Sequence, residues 1–155
     1  MRIKYLSIFA AVALLAACDT TPKDGSGAGG AGQMSVRPGS QEDLAQNVGD
    51  RVFFGTDRSD LTTEARGTLN RQSQWLKTYP QVTITIEGHA DERGTREYNL
   101  ALGERRANAV KNYLIAQGVQ SARVKTISYG KERPAVLGSD DSAWAQNRRG
   151  VTMVD

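Results

Sequence analysis

A strand, a charged turn and a long helix follow one another in the middle of the chain, and this unit constrains the fold most. Residues 82–87 alternate branched apolar and polar side chains, the period of a half-buried strand. Residues 88–94 form the charged turn, and residues 95–117 predict one helix that Gly118 ends. The turn therefore lies where backbone N–H groups and the dipole of the following helix favour anionic ligands.

The helix carries an arginine on its predicted buried face. At about 100° per residue, one stripe contains Tyr98, Leu102, Ala109, Val110, Tyr113 and Leu114. Arg106 lies in the middle of this stripe, and Asn99 lies on it nearer the turn. A guanidinium directed at a core is costly unless it is paired. Arg106 therefore either forms a structural salt bridge, with Asp91, Glu87 or Asp57, or lines a pocket beside Asp91 and binds a ligand carboxylate.

The periodic segments predict an α+β fold of order β-α-β-α-β-β. The predicted strands are residues 50–54, 82–87, 124–129 and 150–154. The predicted helices are a short one at 40–49 and two long ones at 62–79 and 95–117, and residues 135–147 are predicted as a long loop. Helices between strands imply right-handed parallel crossovers. We expect a mixed sheet of about four strands, with helices packed on it and the last strand joining antiparallel.

The first residues predict a targeting segment outside the fold. Residues 1–17 begin with two basic side chains, and the apolar run at 6–15 is shorter than the roughly 20 residues that span a bilayer. Residues 15–18, Leu-Ala-Ala-Cys, resemble the lipobox of bacterial lipoproteins, which predicts lipidation of Cys18. This is the only cysteine, so no intramolecular disulfide forms. The alternative is an ordinary secretory signal with an incidental cysteine.

Residues 18–40 predict a lipidated cysteine followed by a flexible linker, and residues 41–155 predict the folded domain. The linker is rich in Gly and Ala and has no apolar period. Its 22 residues after the cysteine would span about 25 Å as a flexible coil. Fully extended, they would reach about 75 Å. Such a tether suits a domain whose target lies away from the membrane surface.

Composition and motif counts argue against several classes of function. The formal charge of +3 falls to +1 without residues 1–17, which hold two basic and no acidic side chains, and no basic run suits nucleic acid. His89 is the only histidine, which excludes a multi-histidine zinc site, and we expect it to pack and hydrogen-bond the loop. There is no phosphate-binding loop and no Gly-x-Ser-x-Gly nucleophile elbow. We expect no enzyme, metal or cofactor.

Asp91 and Arg106 fit a binding role better. An ionised carboxylate only accepts hydrogen bonds and can hold an ammonium group. A guanidinium presents a fork that matches a carboxylate. If both side chains face one cleft, they recognise the zwitterionic head of an amino acid.

Residues 88–110 resemble the signature of the OmpA-like peptidoglycan-binding domains. The segments at 15–18, 128–134 and 147–149 narrow the resemblance to the peptidoglycan-associated lipoproteins of Gram-negative envelopes. The resemblance covers about residues 50–154. It implies non-covalent binding to meso-diaminopimelate in the peptide stem of peptidoglycan, with Asp91 on the ammonium group and Arg106 on the carboxylate. The further contacts that it implies are Phe54, Asp57, His89, Ala90, Asn99 and, more weakly, Arg148.

The resemblance also implies a lipid anchor on Cys18 in the outer membrane, a domain facing the periplasm, and a TolB-like partner of the Tol system. The resemblance also implies that Asp19, directly after the lipidated cysteine, favours retention in the inner membrane in some bacteria. Two residues depart from the family's pattern: Gly55 stands where many relatives carry Asp, and Ala90 replaces a common Thr. Gly55 keeps open an alternative function, an envelope protein-interaction module with weak or no wall binding. Arg148 could instead be a solvated or sheet-edge residue.

Overall fold

The strand that closes the chain lies inside the sheet, between two strands that precede it. The computed structural model describes residues 36–155, in which four strands have the order β1-β4-β2-β3. These strands are β1 Arg51–Phe53, β2 Ile84–His89, β3 Val124–Gly130 and β4 Arg149–Val154. β2 and β3 are parallel, whereas β4 is antiparallel to both β1 and β2. The predicted mixed sheet and its antiparallel last strand are confirmed.

The helices begin where a side chain caps them. They are α1 Gln41–Asp43, which continues as a π-helical segment at Leu44–Val48, α2 Thr63–Thr78, α3 Arg96–Ala116 and α4 Asp141–Asn147. A short 3₁₀ turn, Ser121–Arg123, precedes β3. The caps of the two long helices are Thr62, which accepts from Ala65 N, and Thr95, which accepts from Tyr98 N. Each cap satisfies an amide that the helix leaves free.

The segment predicted as a long loop at 135–147 contains α4, so that prediction was wrong. Asp140 caps this helix by accepting a hydrogen bond from Ala143 N at 2.9 Å. Ala143 and Asn147 are buried, and the guanidinium of Arg93 stacks on the ring of Trp144. Seven residues are too few to show a helical period, so packing rather than periodicity defines this helix.

α3 packs on β2 and β3, α2 packs on β1, and the core lies between these helices and the sheet. The buried line of α3 differs from the predicted stripe because it runs through Gly103 and Ala107, while Tyr98 is 42% exposed. The reason is a close approach of α3 to β2. A Cβ on Gly88 would collide with the carbonyl of Gly103. The helix therefore faces the sheet along its small residues.

The described chain enters the fold at the carboxyl end of β4. The Gln41 side chain accepts a hydrogen bond from Val154 N and donates to Thr152 O. Asp43 accepts from Trp75 Nε1 at 2.9 Å, which fixes α1 to α2. The predicted signal peptide, Cys18 and most of the linker lie outside residues 36–155. Within that range, no helix is long and apolar enough to cross a membrane.

Candidate functional site

A cavity of about 300 Å³ opens where the loops after β1 and β2 meet the start of α3. Its lining residues are Thr56, Asp57, Asp91, Arg93, Gly94 and Tyr98. Asp57 and Asp91, two of the predicted site residues, therefore share one cavity. Asp57 has a left-handed backbone, with φ of 55°, and its carboxylate accepts a hydrogen bond from the Tyr98 hydroxyl at 3.2 Å. The lining of the cavity thus contains two carboxylates, with Arg93 as its cation.

Asp91 is almost fully buried, and its carboxylate accepts four hydrogen bonds. Arg93 donates to it from Nη2 at 2.7 Å, from Nε at 3.1 Å and from its backbone N–H at 3.1 Å. Arg148 donates the fourth from Nη1 at 3.4 Å. Burial raises the pKa of Asp91, but the bonds from Arg93 and Arg148 outweigh it and hold this pKa below its usual value. Asp91 is therefore ionised at neutral pH.

Arg106 is fully buried and is held by three backbone carbonyls. Nε donates to Arg58 O at 2.8 Å, Nη1 to His89 O at 2.8 Å and Nη2 to Gly55 O at 3.0 Å. Its guanidinium carbon lies 5.3 Å from the centre of the Phe54 ring. One side chain thus joins the loop after β1 to the end of β2. Gly55 takes part through its carbonyl, although it lacks the carboxylate common in the family.

The charge of Arg106 has no salt-bridge partner in the described part of the chain. No carboxylate oxygen lies within 4 Å of it, so the predicted structural salt bridge with Asp91, Glu87 or Asp57 does not form. Burial lowers the pKa of Arg106 to about 10, against the opposing effect of Asp91 and Asp57. Arg106 therefore remains a cation at neutral pH, fully buried and within reach of the charges of Asp91 and Asp57, but it does not itself line the cavity.

Two further predicted residues support the loops of the site. Asn99 donates from Nδ2 to Arg93 O at 2.8 Å and to Thr95 O at 3.1 Å, which holds the turn against the start of α3. Arg148 immediately precedes β4 and bridges Phe54 O, at 3.0 Å from its Nε, to the carboxylate of Asp91. Arg148 thus lies at the site.

His89 and Ala90 do not line the cavity; His89 O accepts a hydrogen bond from Arg106, whereas the backbone of Ala90 binds β3. Ala90 N donates to Gly130 O at 2.8 Å. His89 is buried, as predicted, and the centre of its ring lies 5.6 Å from that of Tyr129. The predicted hydrogen bond to the loop is wrong, because neither ring nitrogen has a partner among the described residues. The nearest acid, Glu87, lies 3.5 Å away, too far for a strong hydrogen bond.

Two site residues escaped the sequence analysis, Arg93 and Trp144. The Arg93 guanidinium lies 4.1 Å from the centre of the Trp144 ring, and Trp144 Nε1 donates to Glu92 at 3.0 Å. Arg93 was visible in the charged turn, but nothing in the sequence indicates that it folds back onto Asp91. Trp144 lay in the supposed loop. Within residues 36–155, no group of three His, Cys, Asp or Glu side chains could hold a metal ion.

Comparison with known proteins shows the family. A family model described as the OmpA family matches residues 53–148. A peptidoglycan-associated lipoprotein of Agrobacterium fabrum is 59% identical over 128 residues, which cover 83% of this chain and 71% of that protein. Another, of Mesorhizobium japonicum, is 53% identical over 149 residues, covering 94% of this chain and 89% of that protein. The chain belongs to the OmpA family, among the peptidoglycan-associated lipoproteins.

Solved structures agree with this placement. The crystal structure of a peptidoglycan-associated lipoprotein from Burkholderia pseudomallei has a TM-score of 0.67 at 43% identity, over 68% of this chain and 90% of that one. The C-terminal domain of Helicobacter pylori MotB has a TM-score of 0.64 at 20% identity, over 68% of this chain and 84% of that one, and shares the fold. The OmpA-like fold, predicted from residues 88–110, and the peptidoglycan-associated lipoprotein family, predicted with the segments at 15–18, 128–134 and 147–149, are therefore confirmed. The relatives are named as lipoproteins, not as enzymes.

Proposed function

We propose that the chain is a lipoprotein of the outer membrane that binds peptidoglycan non-covalently at the meso-diaminopimelate of the stem peptide. The observation that carries this proposal is the small charged cavity lined by ionised Asp91, whose charge acts on the nearby buried cation Arg106. The side-chain end of diaminopimelate bears an ammonium and a carboxylate on one carbon. A cavity with both signs of charge suits such a zwitterion better than a simple cation or anion.

In this proposal, Asp91 binds the ammonium group and Arg106 provides the positive charge that draws the carboxylate. Three of the five N–H donors of Arg106 are used on carbonyls, so its main effect reaches the ligand through its charge and through the loops it holds. Asp57 adds a second carboxylate to the cavity. Supporting roles fall to Phe54, His89, Ala90, Asn99 and Arg148.

The proposal includes anchoring by acyl chains on Cys18, which holds the domain on the periplasmic side of the outer membrane. Each buried CH₂ contributes about 0.8 kcal/mol, so several acyl chains give stable attachment. Many weak contacts between a membrane and a polymer then add up through multivalency. We also propose a TolB-like periplasmic protein of the Tol system as a partner of the same domain.

Cosedimentation with diaminopimelate-type peptidoglycan tests the proposed pocket. Asp91→Ala should reduce binding at least tenfold, because a hydrogen bond to a charged group contributes about 1.5–3 kcal/mol. Asp60→Ala is the matched control, since Asp60 is exposed and pairs only with Arg58 outside the cavity. Circular dichroism would verify that both variants fold. Equal binding by wild type and a folded Asp91→Ala would refute the pocket.

One observation favours the second candidate, a protein-interaction module with little wall binding. The carboxylate of Asp91 is already satisfied by groups of its own chain. Under this alternative, the charged turn has a structural role and the domain binds another envelope protein. A pull-down with a purified TolB-like protein, run beside the cosedimentation assay, separates the two. Recovery of the protein without any binding to peptidoglycan would favour the alternative.

A further inference from the structure

Charge is unevenly distributed between the two ends of the domain. Residues 65–86 and 107–127 together contain six Lys or Arg and no Asp or Glu. Residues 87–104, which include the turn beside the cavity, contain five Asp or Glu and two Arg. Arg123 donates to the carbonyl oxygens of Leu76 and Val82, so the end of α2 lies beside the starts of β2 and β3. Because β2 ends at the turn beside the cavity, the two segments without acids meet at the opposite end of the sheet.

Two of these cations, Arg71 and Lys77, lie exposed on the outer face of α2. Neither forms an ion pair with any residue in the range 36–155, and Arg71 donates hydrogen bonds to neutral oxygens. The one acidic residue of α2 is Glu64, in its first turn. The exposed positions of this helix carry no large apolar side chain. The outer face of α2 is therefore polar and positively charged along most of its length.

Arg37 adds a third cation where the chain reaches this face. It is exposed, and Gly39 lies so close to the end of α2 that a Cβ on it would be 3.3 Å from the ring of Tyr79. We call Arg37, Arg71 and Lys77 the α2 surface. Seventeen residues separate Cys18 from the first described residue. As a flexible coil they would span about 23 Å, so a short tether connects the predicted lipid anchor to this surface.

We propose that the α2 surface docks on an anionic lipid surface, namely the leaflet that holds the acyl chains; this inference rests on the proposed function, because it needs the anchor on Cys18. The phosphates of the lipid headgroups pair with the three cations of the α2 surface. Each Lys or Arg near such a leaflet contributes about 1 kcal/mol, or about fivefold in the binding equilibrium. The tether keeps the effective concentration of lipid high, so these weak contacts suffice.

The composition of the α2 surface favours a lipid over a protein partner. Stable protein interfaces depend on buried aromatic or other apolar anchor residues, which the exposed face of α2 lacks. Headgroup phosphates require only accessible cations, without a complementary shape. The position of the surface next to the tether also favours the membrane over the more distant wall. None of its three residues lines the cavity, so docking leaves the proposed binding site free.

Energy transfer between the domain and the vesicle that anchors it tests the docking with the full, acylated chain. Acylation occupies Cys18, so a donor dye attaches only at Gln81→Cys, an exposed position just after α2, and the lipid headgroups carry the acceptor dye. Vesicles of phosphatidylcholine alone are compared with vesicles that also contain phosphatidylglycerol. Transfer should be stronger on the anionic vesicles. Raising the salt from about 0.1 to about 1 M should abolish this difference, because the screening length falls from about 10 to about 3 Å.

The double variant Arg71→Gln/Lys77→Gln should lower the ratio of docked to free domains by about 25-fold, from two contributions of about fivefold. Arg96→Gln/Arg105→Gln is the matched control, since it removes two exposed arginines of α3 that are not part of the α2 surface. The control should dock as the wild type does. Both variants should cosediment with peptidoglycan like the wild type, because none of the four residues lines the cavity.

The inference is overturned if transfer is equal on the two kinds of vesicle, if high salt leaves the difference unchanged, or if the control variant reduces docking as much. Loss of peptidoglycan binding in Arg71→Gln/Lys77→Gln alone would assign the α2 surface to the wall and would also overturn it. A wild-type chain that does not float with vesicles would refute the lipid anchor of the proposed function, and the docking with it. Flotation is measured before energy transfer, so the two failures are distinguishable.

Discussion

At the scale of single residues, the buried ring of His89 makes the stability of the fold depend on pH. Burial lowers its pKa from 6.5 to about 4, and the charges of Arg149 and Arg133 add to this effect. The unfolded chain therefore binds more protons than the folded chain between pH 6.5 and about 4. The stability associated with neutral His89 is complete above pH 6.5 and is lost progressively as the pH falls through this window.

We predict that acidification from pH 7 to pH 4 lowers the free energy of unfolding by about 3 kcal/mol through His89, since one pKa unit corresponds to 1.36 kcal/mol. Urea denaturation at a series of pH values measures this loss. In the variant His89→Gln, the free energy of unfolding should depend much less on pH between 6.5 and 4.5, even if the loss of the packed ring lowers stability at every pH. The pKa values of Asp43 and Asp91 lie below those of ordinary carboxyls, so protonation of these two groups affects stability at lower pH than protonation of His89. An unchanged slope in the variant would contradict the assignment.

At the scale of elements, the contact between α3 and β2 depends on two glycines. Gly88 of β2 and Gly103 of α3 approach so closely that a Cβ on either would meet the other's backbone. Because Arg106 lies less than one turn beyond Gly103, this approach also sets where its guanidinium meets the carbonyls of His89 and Gly55. The position of the site therefore depends on the packing of one helix.

Gly88→Ala should destabilise the fold by about 3 kcal/mol, the upper end of the range for overpacking, because α3 must move off the sheet. Gly67→Ala is the matched control within α2, where an added Cβ meets nothing within 4 Å. It should stabilise the helix by about 0.5–1 kcal/mol. Chemical denaturation of both variants measures the two effects. Equal changes in the free energy of unfolding for the two variants would show that the close approach of α3 to β2 does not affect stability.

The same elements show what the sequence could predict. Strand alternation predicted 82–87, and the structure has β2 at Ile84–His89. Helical periodicity likewise located α2 and α3, because a long apolar face repeats a local signal many times. It could not locate α4, which is too short for a period. Nor could it show that Arg106 binds carbonyls or that Arg93 covers Asp91, because these contacts depend on tertiary packing that no local pattern encodes.

At the scale of the whole molecule, the chain enters the domain at the end opposite the cavity. Gln41 contacts β4 near Val154, whereas Arg148, just before β4, binds Asp91 in the cavity. The six residues of β4 separate these points by roughly 20 Å at about 3.3 Å per residue. The start of the described chain therefore contacts the end of β4 that lies away from the cavity, so the proposed tether would attach at a distance from the proposed binding site.

This arrangement separates the effects of linker length from those of the site. Deleting residues 23–34 shortens the predicted linker from 22 to 10 residues and its extended reach from about 75 to about 35 Å. Binding to peptidoglycan in solution should not change, because the deletion retains every residue that lines the cavity. Cells with this variant should release more outer-membrane vesicles, since fewer domains reach the wall, and a Gly-Ser segment of equal length should restore the normal level. Altered binding in solution would place the linker in the site, and normal vesicle release would show that reach does not limit tethering.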